Sequence, residues 1–120
     1  MNSEILKTAG IDLEKGVARF LGDRELFESI LDSFLEDATF ARGKQALEKK
    51  DYKELYECIH TLKGVAGNTD LTWVFLRAGK LCEYLHKNET IDHGEVVSLF
   101  LDLEGAYHSV LTGILAAKEV

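Results

Sequence analysis

Six residues near the C-terminus, Val96, Phe100, Leu103, Tyr107, Val110 and Ile114, succeed one another at steps of four, three, four, three and four. At about 100° of rotation per residue this keeps all six on one stripe of an α-helix. A stripe held for about five turns is too long for loops to cover, and it is buried by laying other helices along it. The 120 residues contain no proline, so no helix interior is broken by a missing N–H or a ring clash. Three further stretches carry helical apolar spacing: Phe27, Ile30, Leu31, Phe34 and Ala38; Leu55, Ile59, Leu62 and Ala66; and Leu71, Val74, Phe75, Ala78, Leu81, Cys82 and Leu85. A shorter one holds Leu13, Val17 and Phe20. No sheet is expected.

Helix ends are marked by residues that satisfy unpaired backbone groups. Asp12, Asp23, Asp51 and Asp92 each stand where a side-chain oxygen accepts from the first turn, and Glu54 and Glu95 give the latter two the acidic spacing of a capping box. Gly22, the pair Gly67-Asn68, and Lys87-Asn88-Glu89 supply stops. Thr69 or Asp70 is expected to cap the helix that follows. Between Thr39 and Lys50 the pattern thins, and Gly43 suggests a bend or a break within a short helix or a kinked continuation. Residues 1–10 read as a loose lead-in, partly helical at Ile5-Leu6, and residues 11–118 as one domain. The expected fold is all-α: an antiparallel four-helix bundle with a short additional N-terminal helix.

Twenty-one acidic against fourteen basic residues give a net charge of −7, so the electrostatic footprint of nucleic-acid binding is absent. No apolar run approaches the ~20 residues of a membrane span, and the N-terminus lacks a leader pattern. A cytoplasmic monomer that binds neither membrane nor nucleic acid is expected. Cys58 and Cys82 fall on different helices without metal spacing, which favours two reduced thiols. His86 and His93, near Glu89, Asp92 and Glu95, match no recognised metal site. Neither a Walker loop nor a kinase glycine loop is present. No ATP site, autokinase activity or cofactor is therefore expected. Trp73 lies off the centre of its stripe, at a bundle edge or a partner contact.

One residue stands apart from this packing logic. On the helix whose buried side is Leu55, Ile59, Leu62 and Ala66, His60 lies well round the cylinder, with Gly64 at i+4 and Gly67 at i+7. A glycine in a helix interior is about 0.8–1.0 kcal/mol less favourable than alanine, so two of them beside an outward histidine have a cost without a packing return. Lys63, at i+3, leans over the same patch. An imidazole as nucleophile, an ammonium as counter-charge to phosphate and bare backbone for access suit a covalent phosphocarrier. A surface histidine without that company is ordinarily just solvated.

The run His60-Thr61-Leu62-Lys63-Gly64-Val65-Ala66-Gly67-Asn68 resembles the signature of the histidine-containing phosphotransfer (HPt) domains of two-component phosphorelays. Gly10-Ile11-Asp12, Phe20-Leu21-Gly22-Asp23, Leu31 and Phe34 resemble the family's usual start, and Ala78-Gly79-Lys80-Leu81-Cys82-Glu83 its following helix. The resemblance implies that His60 accepts a phosphoryl group at Nε2 from a receiver-domain aspartate and passes it to another response regulator. In that role Lys63 steadies the phosphoryl oxygens, and Gly64 and Gly67 give access. The partners implied are receiver domains, including those of a hybrid sensor histidine kinase, and the receiver brings the divalent metal. Val17, Phe34, Ala38 and Tyr56 are candidates for the docking surface. Asp70 stands where many members have glycine, and negative charge there would oppose an incoming phosphoryl group. This makes conceivable an HPt-like interaction module that no longer accepts phosphate; a metal- or ligand-binding bundle is a separate rival.

Overall fold

A computed structural model describes residues 1–119. Its described residues form seven helices and no strand: α1 (Ser3–Thr8), α2 (Leu13–Arg19), α3 (Arg24–Phe34), α4 (Thr39–Glu48), α5 (Tyr52–Asn68), α6 (Thr72–Lys87) and α7 (His93–Lys118). The four expected aspartates do cap. Asp12 accepts from the Lys15 N–H, Asp23 from Leu26, Asp51 from Glu54, and Asp92 from Gly94 and Glu95. Helices α4 to α7, joined by connections of a few residues, run up and down as the bundle, packing as α4 on α5, α5 on α6 and α6 on α7. The six-residue seam of α7 is buried along its whole length. Phe40 closes the ring from α4 to α7, its centroid 5.1 Å from that of Phe100 and 4.1 Å from that of Tyr107. At about 1.5 Å per residue α7 is about 39 Å long, nearly the 45 Å length of the molecule, so it outruns its bundle partners and offers its end to α1 and α3.

Residues 1–10 are not loose. Asn2 caps α1 by accepting from Ile5 N–H, Leu6 is fully buried, and the Asn2 N–H donates to the Ala117 carbonyl at 3.1 Å. The fit depends on small residues: a Cβ built on Gly113 of α7 would stand 2.3 Å from the Ala9 Cβ. Lys118 pairs with Asp32 of α3 on the same end. A second correction concerns Gly43. It lies inside α4 without a bend, buried against Ile59 and Cys58 of α5, and serves close helix approach. The chain breaks instead at residues 35–38, where Asp37 accepts from the Thr39 N–H at 2.7 Å.

The turn between α5 and α6 is stitched to the turn before α2. Asp12 N–H donates to the Asp70 carbonyl at 2.9 Å and Thr72 N–H to the Gly10 carbonyl at 3.1 Å, around the isolated bridge Ile11–Leu71. Neither Thr69 nor Asp70 caps α6. The N-cap is Leu71, with no side-chain bond, while the Thr69 hydroxyl donates back to the Val65 carbonyl. Asp70 adopts φ +55°, the left-handed region that glycine enters without strain. These stitches hold α2 at the α5–α6 turn, across a cleft from Ala66 and Gly67.

Candidate functional site

The buried stripe of α5 is as the spacing requires, with Leu55, Ile59, Leu62 and Ala66 at most 1% exposed. His60 is thereby turned to solvent. Among the described residues its ring has no hydrogen-bond partner, and its nearest aromatic neighbour is Tyr56, one turn earlier, with centroids 5.7 Å apart. Tyr56 also stacks on His86 of α6 at 6.1 Å. An open pocket of about 280 Å³ is lined by His60, Lys63, Gly64, Gly67, Asn68 and Phe75. A second cleft of the same size, lined by Lys15, Arg19, Asp70, Leu76 and others, shares Gly67 and Phe75 with the first. Those two residues form the divide between them.

The two glycines differ. A Cβ on Gly64 would meet nothing within 4 Å, so nothing in the packing of this chain calls for glycine there. A Cβ on Gly67 would stand 3.1 Å from the Phe75 ring, so Gly67 has a packing reason that its sequence position did not disclose. Phe75 itself was expected inside the bundle and is 38% exposed, lying across α5 above Gly67. Period alone assigned it to the stripe; the crossing of α5 and α6 decides which margin of that stripe is sealed. Lys63 reaches over the same ring, its Nζ 5.6 Å from the Phe75 centroid. Its Cε passes 3.6 Å from the Cβ position of Gly79 on α6.

The charge of Asp70 is committed elsewhere. Arg19 Nε and Nη2 donate to its two carboxylate oxygens at 3.0 and 3.2 Å, a bidentate pair that also ties α2 to the α5–α6 turn. The carboxylate stands in the second cleft, beyond the Gly67–Phe75 divide from His60, with its charge offset. Buried beneath Lys63, Cys82 has its thiol pushed up to about 11 by desolvation, against the opposing pull of the lysine. Thiolate is scarce for such a group near pH 7. Iodoacetamide is expected to leave Cys82 unmodified in the folded protein and to alkylate it once guanidinium unfolds the chain, as mass spectrometry of the peptide will read. Modification at equal rates in both states would contradict this placement.

The docking candidates divide. Val17 is half-buried on α2, Ala38 is exposed at the α3–α4 junction and Tyr56 is half-buried beside His60. Phe34 is 4% exposed and packs edge-on against Tyr107 at 5.6 Å. It belongs to the core, and the expectation of a partner contact there is withdrawn. Trp73 is 52% exposed, covering Gly10 at the bundle edge with the Arg77 guanidinium 5.4 Å from its ring. Sequence reasoning missed Phe75, Asn68 and Arg19. A signal for Phe75 existed in Gly67, a small residue where two packed helices leave room for a long side chain of the neighbour.

Among the described residues no helix is long and apolar enough to cross a membrane, and no group of three His, Cys, Asp or Glu side chains is placed to hold a metal ion. Comparison with protein families matches the Hpt domain over residues 25–113. No curated protein and no solved structure matches. The matched span takes in α4, α5 and α6 whole and most of α3 and α7.

Proposed function

This chain belongs to the Hpt domain family, whose members carry phosphoryl groups in phosphorelays and are not kinases, and from that membership we propose that His60 is its phosphoacceptor. The observation that carries this reading is the solvent-facing His60 ring beside Gly64, a glycine that the packing of the chain does not need. A receiver domain carrying an aspartyl phosphate docks over this face. The lone pair of the neutral imidazole forms an N–P bond in line with the departing group. The acyl P–O bond breaks, its electrons leave on the aspartate carboxylate, and the ring releases its proton to water. Nε2 is the nitrogen assigned, since it projects farthest from the backbone. The reverse step at a second receiver returns the phosphoryl group to an aspartate. Phosphoryl transfer needs positioning and charge stabilisation above all. Here the receiver supplies its divalent metal, and this chain supplies a nucleophile, the Lys63 ammonium and a clear approach.

The rival reading, an interaction module that has lost phosphorylation, drew on Asp70. That motive weakens with Asp70 paired to Arg19 in the neighbouring cleft. The deciding experiment incubates the protein with a panel of radiolabelled phospho-receivers and locates the label by mass spectrometry. Label on His60, and its passage to a second receiver, is the expected result. Label at His86, His93 or His108, or none across the panel, would overturn the reading.

A further inference from the structure

Lysine is a flexible carrier of charge, with four rotatable bonds between backbone and ammonium. A cation that steadies a phosphoryl group is most effective when held in place beforehand, because the ordering is then not charged against the reaction. Three features of this chain bear on where the Lys63 ammonium rests. Gly67, one turn on from Lys63 along the same face of α5, has no side chain, and the Phe75 ring of α6 occupies that space. The ring then lies beside Lys63, whose Nζ sits 5.6 Å from its centroid, within the range of a cation–π contact. The Lys63 stem runs close along α6, its Cε 3.6 Å from where a Cβ on Gly79 would stand.

Competing partners are weak. Among the described residues Lys63 makes no ion pair within 4 Å, and the acidic group that feels its charge, Glu83, is held by Lys87 at 2.9 Å. Both Lys63 and Phe75 line the His60 pocket. Resting on a ring rather than on a carboxylate, the ammonium keeps its hydrogen-bond donors free for phosphoryl oxygens. We propose that Phe75 is a positioning residue for phosphoryl transfer: it holds the Lys63 ammonium beside His60, and Gly67 is glycine so that the ring can lie there. The inference rests on reading His60 as the phosphoacceptor.

The test uses phosphoramidate, a small donor that needs no identified receiver, and follows phosphohistidine by 31P NMR. In that reaction the imidazole forms the N–P bond, the donor's P–N bond breaks, and ammonia departs with the ring proton as ammonium. Phe75→Leu is expected to slow labelling about two- to fivefold, the range set by a cation over an exposed ring. Phe75→Tyr and Phe75→Trp keep a ring and are expected to stay within about twofold of the parent. The upfield ring-current shift of the Lys63 methylene protons should vanish in Phe75→Leu alone. In a Lys63→Ala background, Phe75→Leu should have no further effect, which a merely structural role would not predict. An unchanged rate in Phe75→Leu, or an equal slowing with and without Lys63, overturns the proposal. His60→Gln is the separate control. Labelling that survives in it defeats the phosphoacceptor reading itself, whatever Phe75 does.

Discussion

Gly64→Gln is expected to slow transfer from a phospho-receiver to His60 by about a hundredfold or more while raising the melting temperature by about 2–3 °C. The two signs come from one observation. A Cβ at position 64 meets nothing, so the chain accommodates a side chain without strain, and exchanging glycine for a good helix former in the middle of α5 gains about 0.5 kcal/mol. The same side chain, one turn from His60, stands where the donor and its phosphoryl oxygens must pass, and a displacement of about 1 Å from reactive geometry is enough for a hundredfold loss. Gly105 of α7 provides the control, being likewise mid-helix with an open Cβ position. Gly105→Gln should share the gain in stability and leave transfer unchanged. Initial rates and circular-dichroism melts of the two variants decide the matter. Near-normal transfer in Gly64→Gln would remove the access argument.

Position 64 thus illustrates how a site is recognised from its energetics. Most of α5 obeys packing, and Gly67, which looked like a second concession to access, turns out to make room for Phe75. Gly64 alone on that face gives up helix stability with no return inside the molecule. On the proposed reading the gain lies in what approaches from outside, consistent with the general pattern that functional positions are not the most stable ones.

What was legible in the sequence was whatever depends on local period and on end groups. The α7 seam, the buried side of α5 and the four aspartate caps follow from the 3.6-residue repeat and from unpaired N–H groups, both readable in one dimension. What was not legible depends on how helices cross. Gly43 could mark a bend or a contact, and only the presence of Ile59 and Cys58 against it selects the contact. Phe75 belongs to the apolar stripe of α6 by period, and only its place over Gly67 of α5 shows that it lies at the open margin. Arg19 and Asp70 are fifty-one residues apart in the chain, so no local pattern shows that one neutralises the other. Phe34 fell between two readings, docking surface or core, until the ring of Tyr107 was found against it.

A large stability loss is expected of a single truncation far from this chemistry, at Phe40. Helix α4 spans only ten residues and its N-cap, Ala38, has no side-chain bond to offer, so its own hydrogen bonds hold it weakly. One face packs on α5, and Phe40 makes the apolar link to α7 through stacked contacts with Phe100 and Tyr107, the latter joined edge-on by Phe34 of α3, beside the more exposed Lys44–Glu104 ion pair. At 5% exposure Phe40 leaves no route for water into the space its ring fills. Phe40→Ala removes both the transfer energy of the ring and the contacts around the resulting cavity, a loss of about 3–5 kcal/mol. Against a total of about 5–15 kcal/mol for a domain, the midpoint of urea unfolding should fall by about a fifth or more. Phe40→Leu keeps most of the volume and should lose well under half as much. His60 is carried by α5, whose contacts with α6 are untouched, so transfer by the fraction that remains folded at low temperature should be near normal. A Phe40→Ala protein with an unchanged urea midpoint would show that α4 is held to the bundle by something other than this aromatic cluster.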